Sequence, residues 1–326
     1  MQQRRLGKTG LSVSVLGYGC GAVGGLMVRG DPAEQDRAVG RATDAGITYF
    51  DTAALYGDGA SERNLGCVLR GLRAAVTVGT KVRIGAAGRG GIGAAIAASL
   101  EASLRRLGRD SVDLFQLHDP ITTAGDAAAF SPEAVLGEAV PALERLRDQG
   151  KLRWFGITAL GDPAALRRVL DGGAFATAQV PYNLLNPSAV SPLPPGATDA
   201  QDQEGLATHA AAAEVGVIAI RVLAGGALSG SEARHPVAAA AVEPIVSGPS
   251  YAADVAAARR FQALVDAGHA ADLVEAALRF AIAPEAISTA LVGTSSLAEL
   301  EHALAAAGKG PLPAAALDLL DTLRRG

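Results

Sequence analysis

At 326 residues, with 49% hydrophobic and 19% charged content, the chain is long enough to bury one large core and is expected to be globular and soluble. A net charge of −4, with the 29 basic residues spread along the chain, leaves neither a nucleic-acid footprint nor a polybasic membrane anchor. No apolar run approaches the roughly 20 residues of a membrane span, and the opening "MQQRRLGKTG" lacks the apolar stretch of a signal peptide, so a cytoplasmic protein is expected.

In chain order, "RRLGKTGLSVS" reads as a hairpin turning at Lys8-Thr9-Gly10, placed to close the bottom of a barrel. Beyond it, β-type runs alternate with segments whose apolar residues recur three and four apart. The runs are "VSVLGYGC", "GITYFDTA", "AVTVGTKV", "VDLFQLHD", "LRWFGITA", "FATAQVPYN", "GVIAIRVL" and "ISTALVGT". The helical segments are residues 33–45, 61–72, 93–107, 133–149, 162–171, 205–214, 252–282 and 297–307. Eight of each in strict alternation imply parallel strands joined by crossover helices, and the count favours an α/β (β/α)8 TIM barrel over a doubly wound sheet. No "GxGxxG" opens a helix after the first strand; "GYGCGAVGG" runs into a loop instead. Residues 1–326 are read as a single barrel domain with an extra amphipathic C-terminal helix at "PLPAAALDLLDTLRR". Long loops follow the fourth, sixth and seventh strands, at "PITTAGDAAAFSPE", "LLNPSAVSPLPPGATDAQDQE" and "AGGALSGSEARHPVAAAAVEPIVSGPS". In a barrel these lie at the C-terminal mouth, where active sites are built.

The strand ends turn polar at that mouth. The second strand ends in Asp51 and leads to Tyr56, the third carries Lys81 and the fourth ends at His118. Lysine occurs only at 8, 81, 151 and 309, and Lys81 alone terminates a core strand. A phenol is a poor acid at neutral pH, but an ammonium beside it favours the phenolate. Asp51 is placed to hold such an ammonium, and a neutral imidazole at His118 to polarise the same substrate oxygen. Together these groups form an acid/base device around one oxygen. Taken singly, Asp51 is equally a helix cap and Tyr56 a turn residue. Cys20 and Cys67 lack metal spacing and read as free thiols. His209, His235, His269 and His302 show no metal-ligand spacing and are read as surface residues, so no metal is expected.

In "FDTAALYG", "TKV" and "LHDP" these residues resemble the Asp-Tyr-Lys-His tetrad of the aldo-keto reductases. The resemblance continues through "GKLRWFGIT" at 150–158, "QVPYNLL" at 179–185, "LAGGALSG" at 223–230 and "VGTSSLAELEHAL" at 292–304. It implies a barrel that binds NAD(P)H in an extended pose and exchanges hydride with a carbonyl carbon, with Tyr56 as proton donor or acceptor. It also implies a set of cofactor contacts. Gly19, Cys20 and Asp51 line the nicotinamide pocket, and Gln179 and Thr158 hold the carboxamide, with Ala159 where the family has asparagine. Ile220 packs where many members stack an aromatic ring, and Arg221 reaches for the pyrophosphate. Leu223 and Gly225 belong to a Gly-rich loop covering that pyrophosphate. Gly293, Ser295 and Glu299 meet the adenosine end, where helix N–H groups favour an anion.

"GITALGDP" and "RVLAGGALSG" are more similar to the sugar (aldose and galactose) dehydrogenase branch than to aldose reductase. The substrate loops are expected to offer Phe130, Met27 and Arg29. Aromatics make up 4% of the chain, which argues against a bulky aromatic substrate. NADP-selective members carry cations after the eighth strand, whereas no Lys or Arg occurs between Arg279 and Lys309. NAD, or use of both NAD and NADP, is therefore favoured. The partner expected is a small carbonyl or sugar substrate, with no nucleic acid and no membrane. Two other readings stay open at this point: a cofactor-binding regulatory subunit or redox sensor of a partner protein, and a phosphate-sugar isomerase on the same fold.

Overall fold

The computed structural model describes residues 1–193 and 200–325; residues 194–199, inside the loop expected after the sixth barrel strand, lie outside the described residues. A two-stranded antiparallel hairpin, β1 (Gln3–Arg5) and β2 (Ser12–Ser14), precedes the barrel. Eight parallel strands then close on themselves in the order β10-β3-β4-β5-β6-β7-β8-β9. They are β3 (Leu16–Gly19), β4 (Tyr49–Asp51), β5 (Thr77–Val82), β6 (Val112–Leu117), β7 (Leu152–Thr158), β8 (Thr177–Pro181), β9 (Gly216–Ile220) and β10 (Thr289–Gly293). Each falls inside a run expected from the sequence. Because helices cover the outside and side chains fill the inside, both faces of these strands are buried and their sequences read as nearly unbroken apolar runs.

Two cores result. The larger lies between the barrel and its helices. The smaller fills the barrel interior with Tyr49, Leu114, Ile218 and Leu291, and the hairpin contributes Leu6 and Val13 to it. The Lys8 N–H donates to the Glu214 carbonyl at 2.7 Å, just before β9, so the hairpin stoppers the N-terminal end as expected. Every strand's C-terminal end is thereby left to a single open mouth.

Three segments differ from the sequence reading. "GYGCGAVGG" leads not only into a loop but also into a one-turn helix, Leu26–Arg29. The segment 133–149 is interrupted by a π-helical turn, Val135–Ala139, which ends one residue short of Pro141, whose missing N–H cannot complete the α-helical ladder. Residues 252–282 form separate pieces, Tyr251–Ala258, Gln262–Asp266 and Leu273–Ala281. The last piece starts afresh because the Asp272 carboxylate accepts the Glu275 N–H at 2.8 Å, an N-cap that periodicity alone does not reveal. The C-terminal helix runs over Ala314–Arg325.

Candidate active site

At the mouth, β4 and β5 pair in register with Asp51 opposite Gly79, which brings the end of β4 beside Lys81 two residues on. Lys81 is 1% exposed, and its ammonium has three acceptors. It donates to Asp51 Oδ1, to the Thr52 carbonyl at 2.8 Å and to Tyr56 Oη at 3.1 Å. An ammonium has three protons, so each is used. Burial alone would lower the Lys81 pKa; the charge of Asp51 and the Tyr56 oxygen outweigh it, and the net shift is upward. Lys81 therefore stays charged while facing the phenol.

Asp51 Oδ2 accepts from Gln179 Nε2 at 2.6 Å and from Tyr49 Oη at 2.7 Å, with Gln116 Nε2 at 3.4 Å. Tyr49 was not singled out from sequence. It lies two residues before Asp51 on one strand, so both side chains point into the barrel. Its ring fills the space over Gly79, where an added Cβ would stand 2.5 Å from Tyr49 Oη.

His118 follows β6, its N–H tied to the Val82 carbonyl at 2.7 Å. Its ring stands edge-on to Tyr56 with centroids 6.4 Å apart. Nδ1 shares a 2.7 Å hydrogen bond with Thr158 Oγ1, which lies 3.5 Å from Gln179 Oε1. Burial, with the nearby cations Lys81 and Arg83, pushes the His118 pKa down to about 3. The imidazole is neutral at physiological pH, as the sequence reading required. Asp51, Lys81 and Tyr56 are thus one hydrogen-bonded assembly, and His118 stands beside it on Thr158, which abuts Gln179.

A cavity of about 700 Å³ opens over this assembly and runs toward the start of the helix Leu297–Gly308. Of the expected contacts, Gly19, Asp51, Thr158, Gln179, Ile220, Arg221, Leu223, Gly225, Gly293, Ser295 and Glu299 line it. Cys20 does not: its side chain is 1% exposed in the core, and only its neighbours Gly19 and Gly21 reach the cavity. Ala159 is buried behind the wall, its N–H given to the Gln179 carbonyl at 2.8 Å. Phe130 and Met27 are core residues, 1% exposed each, and not part of the substrate wall. Arg29 ties loops together by donating to the carbonyls of Val237 and Ala22 at 2.9 and 2.7 Å. His235 and His302, read as plain surface residues, are exposed but stand on the cavity rim; His302 pairs with Asp272 at 2.9 Å. Among the described residues no cluster of His, Cys, Asp or Glu could hold a metal ion. Likewise, no described helix is long and apolar enough to cross a membrane.

A profile of the Aldo/keto reductase family matches residues 15–325. The chain belongs to this family and is an oxidoreductase. L-galactose dehydrogenase of Arabidopsis thaliana is 30% identical over 314 residues, covering 94% of this chain and 88% of that protein. D-threo-aldose 1-dehydrogenase of a Pseudomonas species is 31% identical over 258 residues, 69% of this chain and 70% of that protein. The holo form of aldo-keto reductase AKR11C1 from Bacillus halodurans has the same fold: TM-score 0.73 at 24% identity, covering 99% of this chain and 96% of that chain.

Aldo-keto reductases use NAD(P)H, and the cavity suits such a group. At Gly21 the backbone runs beside the Tyr56 ring, where an added Cβ would be in van der Waals contact at 3.8 Å. Midway along, Gly225 and Gly226 adopt φ of 70° and 109°, a left-handed path open to glycine that lets backbone line the cavity without side chains. Arg221 and Arg234 flank this loop, and Arg234 Nη1 donates to the Gly225 carbonyl at 2.9 Å. At the far end, the helix start is already occupied by the chain's own carboxylates. Glu299 accepts the Ser295 N–H at 2.7 Å, and Glu34 accepts the Leu297 N–H at 2.9 Å.

Proposed function

We propose that residues 1–326 act as one barrel domain, in the cytoplasm, as an NAD-linked dehydrogenase that oxidises sugars at the anomeric carbon to the lactone, the same machinery being able to exchange hydride with an aldehyde or ketone. The observation that carries this reading is the closed chain Asp51–Lys81–Tyr56, with neutral His118 facing Tyr56 across the cavity floor. The nicotinamide, when bound, supplies the hydride acceptor or donor.

The remaining work falls to this chain's side chains. Lys81 favours the phenolate of Tyr56, so that Tyr56 takes the hydroxyl proton of the substrate on oxidation and returns it on reduction. Asp51, held by Tyr49 and Gln179, keeps the ammonium in place. With the single Thr158 hydroxyl proton given to Nδ1, neutral His118 carries its own proton on Nε2 and donates it to the substrate oxygen. Gln179 and Thr158 are the groups available to a carboxamide, Arg221 with Leu223 and Gly225 to a pyrophosphate. Gly19, Ile220 and Gly293 line the apolar path between them. The sugar assignment follows from the names of the two relatives that cover most of the chain. NAD is favoured over NADP because Glu34 and Glu299 present negative charge where a 2′-phosphate would approach, with no Lys or Arg between Arg279 and Lys309.

One screen tests the reading: purified protein with a panel of aldoses, aldehydes and ketones and each nicotinamide, together with direct nucleotide titration. Oxidation of at least one aldose is expected. Tight nucleotide binding without turnover of any compound would instead support a regulatory subunit, and no nucleotide binding would support an isomerase.

A further inference from the structure

The cavity lining that includes Tyr56 and His118 also includes Arg83, Pro120 and Leu160. Tyr56 and His118 face the reacting oxygen, and Pro120 and Leu160 are apolar. Among these five Arg83 is the one charged side chain, and so the one placed to recognise a charged part of the substrate. It stands two residues beyond Lys81, past the end of β5, and is exposed. Among the described residues it has no hydrogen bond and no carboxylate partner. The acids lining the cavity are engaged elsewhere: Asp51 with Lys81, and Glu299 with the Ser295 N–H at the opposite end.

The position of Arg83 is built rather than accidental. Asp119, directly after His118, is fully buried. Its two carboxylate oxygens accept the N–H groups of Ile84 and Gly85, each at 2.8 Å. One carboxylate thus clamps the backbone of the loop that carries Arg83 to the strand end that carries His118, so the point from which the guanidinium reaches is set relative to the imidazole. The Arg83 charge is felt at His118, where it adds to the downward shift caused by burial and Lys81. An unpartnered guanidinium at a cavity wall that also carries Pro120 and Leu160 can receive a planar oxyanion through paired charge-assisted N–H···O contacts.

We propose that Arg83 is a specificity-determining residue that receives an oxyanion, carboxylate or phosphate, carried by the substrate a few bonds from its reacting carbon. The substrate class is then an acidic sugar or similar hydroxy-aldehyde, not a neutral one. This rests on the sugar dehydrogenase reading above.

The test compares galacturonate, galactose 6-phosphate and galactose as substrates, with wild type, Arg83→Gln and Arg83→Lys. It also titrates each compound calorimetrically into the protein without nucleotide. Expected is a kcat/KM ratio of acidic to neutral sugar of about tenfold or more in the wild type. This ratio should fall to within about threefold of one in Arg83→Gln and lie between in Arg83→Lys. The heat of binding of the favoured acid should vanish in Arg83→Gln and weaken with salt. Preference for galacturonate identifies a carboxylate and preference for the ester a phosphate; either supports the assignment. A wild-type ratio near one with galactose turned over overturns it and leaves the dehydrogenase reading standing. If no sugar is turned over, the sugar reading fails and the titration alone decides. Acid binding that depends on Arg83 supports the proposal, whereas no binding, or binding unchanged in Arg83→Gln, overturns it.

Discussion

The two ends of the cavity are organised by different means. At the floor, side chains hold side chains: Asp51 collects Lys81, Tyr49 and Gln179, and His118 is fixed by Thr158. At the far end, side chains hold backbone: Ser296 and Glu34 accept the N–H groups of Glu299 and Leu297 in the helix that starts at Leu297, and Glu299 accepts the Ser295 N–H just before it. The floor must present particular chemical groups with particular pKa values, so residue type is constrained. A helix start can satisfy its amides with many residues, so there only charge and shape are constrained. Disturbing the floor should therefore cost catalysis, and disturbing the rim should shift only preference.

The largest effect is expected for Tyr56→Phe. It keeps the ring but deletes the transferable proton, and general acid/base catalysis contributes about 10²- to 10⁴-fold. kcat should fall by that range while nucleotide affinity, read by titration, changes less than about threefold. Retention of more than a third of wild-type kcat would remove Tyr56 from its role.

Tyr49→Phe asks whether the support beneath the floor matters. It removes one of the close donors to Asp51 Oδ2 and leaves Gln179 in place. A buried carboxylate short of one donor is destabilised by about 1–3 kcal/mol. A drop in denaturant midpoint is expected, with about a tenfold loss in kcat and a shifted basic limb of the pH–rate profile. Loss of stability without any change in that limb would make Tyr49 a packing residue only.

These two tyrosines also mark what the sequence disclosed. Tyr56 was legible because a phenol in a turn after a strand has no packing reason to be there. Tyr49 was not, because an aromatic residue in a buried strand is ordinary. The overlooked signal was its spacing of two from Asp51, which puts both on one face, opposite a glycine on the next strand. Arg83 repeats the pattern, two residues beyond Lys81. The barrel itself was legible from strict alternation of strand and helix patterns, since that pattern has few topological solutions. Phe130 was misplaced for a different reason. Its loop folds back on itself, with the Phe130 N–H bonded to the Pro120 carbonyl at 2.8 Å and the Thr122 N–H to the Phe130 carbonyl at 2.9 Å. This closure turns the ring inward, and no local periodicity encodes it.

His118 offers a third break, in stability rather than rate. Its pKa is about 3 in the folded chain against an ordinary 6.5. Between these values the unfolded chain binds a proton that the folded one does not. Stability therefore rises with pH across this window and is lost as pH falls below about 6.5, by up to about 1.4 kcal/mol per pH unit for one proton. In His118→Asn the slope of unfolding free energy between pH 4 and pH 6 should be shallower than in wild type. Equal slopes would mean that His118 protonates freely and does not serve as the neutral donor.

The smallest effect is expected at the rim. Glu34→Gln with Glu299→Gln keeps an acceptor oxygen for the N–H groups of Leu297 and Ser295 but removes both charges. Anions are favoured at a helix N-terminus by its partial positive charge, and here that advantage is spent on the chain's own carboxylates. With amides in their place, an incoming 2′-phosphate loses two repulsive neighbours and meets a less neutralised helix end. The ratio of kcat/KM for NADP to that for NAD should rise by about threefold to tenfold, chiefly through KM, because the contact lies far from the reacting oxygen. Turnover with NAD at saturation should hold within about twofold, in contrast to every substitution at the floor. If the ratio does not move, the adenosine ribose does not reach this helix, and cofactor preference must be set by the cations Arg221 and Arg234 around the glycine loop. If kcat with NAD falls along with the ratio, the two ends are not independent, and the division between chemistry and preference drawn from their construction is wrong.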